Sequence, residues 1–86
     1  MSHILAKLKN VKLEHIAQAL KDDATKHSAE GMYLEHLWLN LDDQDEVCFL
    51  FRVDDLVHAK QFIEAEHRAA TMKDPSVHLP EMTYLE

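Results

Sequence analysis

Eighty-six residues make a single domain, 1–86, with a small core: a chain of this size buries only about 60% of its unfolded surface. Cys48 is the only cysteine, so no disulfide within the chain adds to it. Nine Lys+Arg against 16 Asp+Glu give a net charge of −7, which excludes nucleic acid and anionic lipid as expected partners, because both need clustered cations.

The chain opens with His3–Lys9, where Ile4, Ala6 and Leu8 alternate with Leu5, Lys7 and Lys9, a short strand with one better-buried face. Met1–Asn10 lacks the basic start and long apolar core of an export signal. Together with the lone cysteine, this makes the cytoplasm the expected compartment. Asn10 is a plausible helix cap, since its side chain can accept a free backbone N–H. From Lys12 onward Leu13, Ile16, Ala17, Leu20 and Ala24 form one apolar stripe at helical spacing. Lys26 and His27 lie late in that helix, where positive charge suits the dipole. Gly31, the only glycine, follows as a left-handed terminator.

Met32–Leu41 reads as the second strand and Val47–Val53 as the third. The acidic connection between them is too short for a crossover, so the two form an antiparallel hairpin. Its register decides which side chains share a face. The preferred register joins Leu37, Leu39 and Leu41 to Val47, Phe49 and Phe51 under the helices. Leu34, His36, Trp38, Asn40, Cys48, Leu50 and Arg52 are then left on the other face. The alternative slip would pair Glu35 with Arg52 and set His36 among the phenylalanines.

Asp54 or Asp55 caps a second helix carrying Leu56, Ala59, Phe62, Ile63, Ala69 and Ala70. Pro75 marks its end. After Pro80, Met82–Leu85 reads as a closing strand. The longest apolar run, Val47–Phe51, is strand-sized and far short of the ~20 residues of a spanning helix, so no membrane partner is expected. The element order is β-α-β-β-α-β, the α+β ferredoxin-like pattern of one antiparallel sheet with both helices on one face.

The run Asn40–Ile63, with Asp-Asp-Gln-Asp-Glu before the third strand and Phe-Arg-Val-Asp-Asp-Leu running from its end into the next helix, resembles small dimeric α+β barrel proteins. So does the ending Leu79-Pro-Glu-Met-Thr-Tyr-Leu-Glu86. The group in question is the antibiotic-biosynthesis-monooxygenase-like set and its uncharacterised relatives. The resemblance implies a homodimer in which two ferredoxin-like subunits bring their open sheet faces together. Its oxygenase and haem-degrading branches draw an Asn, a Trp and a His from separate elements, whereas Asn40, Trp38 and His36 crowd one strand here. The resemblance therefore speaks for the fold and not for a reaction.

His36, Trp38 and Arg52 are the candidate ligand-binding residues, because alternation takes them to the helix-free face and a pocket combines an apolar body with a few polar groups. Tyr84 joins them if the last strand points the same way. A plainer reading has Trp38 and Leu50 as the core of a dimer, with His36 and Arg52 satisfied by carboxylates across it. No catalytic residue can be assigned and no cofactor is expected. Seven histidines are many, yet none sits in a His-Glu-x-x-His frame. Asp23 with His27, and Glu64 with His67, supply two potential ligands each, and no metal is expected from such pairs. Asp42, Asp43, Asp45 and Glu46 lack the glycine of a calcium loop. Cys48 lacks the neighbouring cation that would activate it. Two functions remain: a homodimer binding a small organic molecule between or beside its sheets, or an interaction dimer whose sheet face is filled by its partner.

Overall fold

A computed structural model describes all 86 residues. Strands β1 (Ser2–Lys9), β2 (Met32–Leu39), β3 (Glu46–Val53) and β4 (Glu81–Leu85) form one sheet of order β2-β3-β1-β4, with every neighbouring pair antiparallel. Helices α1 (Leu13–Asp22), α2 (Ala24–Ala29) and α3 (Leu56–Lys73) lie to one side of it, α1 and α3 contributing apolar side chains to the core and α2 setting His27 against Phe51. The chain is thus a small α+β protein with a four-stranded antiparallel sheet and three helices. No helix is long and apolar enough to cross a membrane.

Three helices appear where two were expected, because the first breaks at Asp23 (φ −95°, ψ 3°). Asp22 and Asp23 put two carboxylates at the negative end of α1, and aspartate side chains compete with helical backbone bonds. The Asp23 N–H still donates to the Ala19 carbonyl at 3.1 Å, and its carbonyl accepts from His27 N–H at 2.9 Å. The break is therefore a bend between two bonded segments. Asn10 does not cap α1. It takes a left-handed conformation at φ 61°, and Lys12 stands at the helix start without a side-chain bond. Asp55 caps α3 as anticipated, its Oδ1 accepting the His58 N–H at 3.1 Å. Gly31 is left-handed at φ 72°, and a Cβ there would lie 3.3 Å from that of Asp54. Any side chain at this position would be both strained and crowded.

The hairpin takes the preferred register, with Leu37 opposite Phe49 and Leu39 opposite Val47. It also contains a bulge: Leu34 faces Phe51 and His36 faces Leu50, leaving Glu35 unpaired. One extra residue reverses the alternation. Met32 and Leu34 therefore join Leu37 and Leu39 on the helix side, and Leu34 leaves the open face on which simple alternation placed it. Leu41 lies beyond β2, exposed in the turn. There the acids shape the loop: Asp43 Oδ1 accepts the Asp45 N–H at 3.1 Å, and Asn40 Nδ2 donates to Glu46 at 2.8 Å.

The core is Ile4, Ala6, Met32, Val47, Phe49, Phe51, Val53, Ala59 and Ile63. Seven of these nine come from strands, and neither α1 nor α2 has a fully buried residue. The sheet carries the fold, and the first two helices rest lightly upon it. Truncating Ile4, which is wholly buried, is expected to cost about 2–5 kcal/mol as Ile4→Ala. Leu20→Ala, on the half-exposed stripe of α1, is expected to cost less. Urea unfolding of both variants checks the order, and an equal or greater loss at Leu20 would contradict this distribution of packing.

Candidate functional site

The face without helices gathers Tyr33, Glu35, His36 and Trp38 from β2, with Cys48, Leu50 and Arg52 from β3 and His3 and Leu5 from β1. His36 and Trp38 stack with ring centroids 4.9 Å apart and planes 14° from parallel. Arg52 lies over the Tyr33 ring at 4.6 Å, and its Nη1 is 3.5 Å from Asp54 Oδ1. The Tyr33 hydroxyl donates to the other Asp54 oxygen at 3.2 Å. His3 Nε2 reaches Glu35 Oε1 at 3.0 Å across the intervening strand. The polar groups of this face are thus largely paired with one another, around a Trp38 that remains 45% exposed.

The structure brings His36, Trp38 and Arg52 to this face together. Tyr84 goes to the opposite side: it pairs with the buried Ile4, and Lys60 of α3 sits 5.1 Å above its ring. Burial, with Glu64 nearby, pushes its phenol above the ordinary value. None of the three hollows in the molecule is lined by His36, Trp38, Cys48, Leu50 or Arg52. The open face therefore has no recess around Trp38; a hollow of about 230 Å³ lies at its far end, beside Lys7, Lys9 and Glu81.

The recess that best combines apolar walls with polar groups lies beneath the helices, where residue alternation had given no reason to look. Its floor is Met32, Phe49, Phe51 and Met82 on the sheet. Leu20, Lys26 and His27 form one wall, and Phe62, Ile63, Glu66, His67 and Ala70 of α3 form the other. Its volume is about 300 Å³. Lys26 Nζ and Glu66 Oε2 meet at 3.1 Å, joining α2 to α3, and the same ammonium lies 5.9 Å from the Phe62 centroid. His27 packs edge-on against Phe51, centroids 5.2 Å apart. A second, more open hollow of about 470 Å³ shares Leu20, His27, Met32 and Phe51 with the first. The available sequence signal was the pairing of His27 with Asp23 and of His67 with Glu64, each about one turn away, which reads equally well as a solvated helix face.

Burial lowers the His27 pKa, and Lys26 adds to this while Asp23 and Glu66 oppose it. Burial likewise lowers His67, against the pull of Glu66. Both rings are thereby held neutral at pH 7. No cluster of three or more histidines, cysteines or acids stands close enough to hold a metal ion.

Comparison of the chain with protein-family models, curated proteins and solved structures finds no match. The α+β class stands on the strand pairing and helix packing.

Because the folded state disfavours protonating His27 and His67, the unfolded chain binds more protons below about pH 6.5. Stability is therefore expected to fall as pH drops from 6.5 through the lowered folded values, and to level off below them. His27→Phe should blunt this slope. Urea midpoints between pH 7.5 and 5 measure it, and a variant with the wild-type slope would remove His27 as a cause.

Proposed function

We propose that this chain is one subunit of a ferredoxin-like homodimer that binds a small organic molecule in the cleft between helices and sheet, the open sheet faces forming the subunit contact. The observation that carries this reading is the contrast between the two faces. The covered face holds an apolar recess with two imidazoles beside it, and the uncovered face holds an exposed Trp38 beside half-buried Leu5 and Leu50, with no recess around them. Ligand sites are concave and mostly apolar with few polar groups. Contiguous exposed apolar surface is instead a mark of association.

A second copy is the occupant that suits the open face. A two-fold contact must be self-complementary, and this face offers Lys7, His3 and Arg52 together with Glu35, Asp54 and Glu81 around Leu5, Leu50 and Trp38. His36, Trp38 and Arg52 then serve the subunit contact, with Trp38 as its aromatic anchor. The alternative reading, an interaction dimer without a ligand, draws on the same face and on the mutual pairing of its polar groups.

Light scattering is expected to give a particle of twice the 10.0 kDa chain mass at micromolar concentration. Trp38→Asp should return the single-chain mass, because it buries an unpaired carboxylate at a cost of several kcal/mol. A single-chain mass for the wild type would reject the dimer. In thermal-shift measurements with a panel of small organic compounds, Arg52→Ala should respond as wild type does. Ala70→Phe, which fills the cleft, should lose the response. The reverse pattern would move the ligand to the sheet face, and no response from any protein would favour the interaction dimer.

A further inference from the structure

We infer that the cleft selects an uncharged, mostly apolar ligand carrying one hydroxyl group, with His27 and His67 as that group's hydrogen-bond partners. This rests on the cleft being the ligand site and adds what the site accepts. Size comes first: about 300 Å³ lies at the lower end of the ~300–1,000 Å³ typical of ligand pockets, so the occupant is small. Polarity follows from the lining, in which Phe49, Phe51, Phe62, Met32 and Met82 leave few positions for polar atoms.

Charge is decided by what surrounds the two imidazoles. The charged lining residues are Asp23 beside α2, Lys26 on it, and Glu66 on α3; the sheet and the Leu79–Met82 segment contribute none. Lys26 is already committed to Glu66 at 3.1 Å. No cation is left to hold an anionic ligand, and Asp23 adds a repulsive carboxylate. A cationic ligand would give up its hydration among phenylalanines and methionines while the Glu66 carboxylate is shared with Lys26, and burying a charge without a dedicated partner is costly.

The hydrogen-bonding pattern then points to a hydroxyl. The histidine rings that bond within the fold are His3, to Glu35 and the Met1 carbonyl, and His58, to Glu30. His27 and His67 have no such partner, and both rings border the cleft. A neutral imidazole offers one donor and one acceptor. A hydroxyl can meet either ring in either tautomer, donating to the bare nitrogen or accepting from the N–H, whereas a carbonyl or carboxylate can only accept.

Four probes of one shape separate these terms: naphthol, naphthalene, naphthoate and naphthylmethylamine, titrated at pH 7.5 by calorimetry or fluorescence. Naphthol is expected to bind about tenfold tighter than naphthalene, the order of effect of one or two net hydrogen bonds. It should also bind tighter than the anion and the ammonium. His27→Phe and His67→Phe should each remove most of that advantage while naphthalene binding persists, which also shows that the variants remain folded. Equal binding of all four probes to wild type, abolished by Ala70→Phe, would overturn the selectivity and leave the site. Tighter binding of either charged probe would also overturn it, as would histidine variants that keep the naphthol preference. Absence of binding by every probe would overturn the selectivity and the cleft site together.

Discussion

The unpaired Glu35 is the constraint on which the two faces of this protein depend. Strand side chains alternate with a period of two, so a regular β2 could not send both Met32–Leu34 and Leu37–Leu39 to the same side. The bulge between Leu34 and His36 resolves the conflict. All four apolar residues turn toward the helices, and Tyr33, Glu35, His36 and Trp38 turn away from them. The recess above the sheet and the polar network below it both follow from that single inserted residue. Glu35 then reaches His3 across β3, tying the bulged edge strand to a central one.

Much of this was legible in the sequence. Alternation marked all four strands to within two residues at either end, the Asp54-Asp55 pair marked the start of α3, and Gly31 marked the end of the helical segment before β2. These signals work because each depends on a few neighbouring residues and a fixed backbone geometry. Leu34 and Tyr84 were harder. Leu34 changed faces through the bulge, whose only trace is an apolar pattern that jumps from 32 and 34 to 37 and 39. The direction of Tyr84 is set by the pairing of β4 with β1, a contact some eighty residues apart in the chain that no local pattern reports. His27 and His67 were seen as members of acid–histidine pairs on helix surfaces. Their shared recess exists only once α2 and α3 are placed on the same sheet.

The helix layer carries a cost that accompanies its recess. A chain this short has few residues with which to fill the space above a four-stranded sheet, and α1 and α2 place none of theirs in full burial. Tight packing there would close the cleft. Ala59 and Ile63 anchor α3 and Leu13, Ile16 and Leu20 rest α1 on the core, but what holds α2 is peripheral: Lys26 to Glu66, His58 to Glu30, and the edge of His27 on Phe51. Exposed ion pairs of this kind contribute little each, so α2 is positioned more than it is stabilised.

The six residues of α2 therefore form a roof with no fully buried anchor. Segments with few buried contacts open at free energies well below that of global unfolding. Amides in Ala24–Ala29 are accordingly expected to exchange with solvent through excursions that leave the β1–β3 ladder intact. For the proposed ligand, passage into the space beneath is expected to follow the frequency of those excursions, and residence time how far the occupant ties the roof to α3.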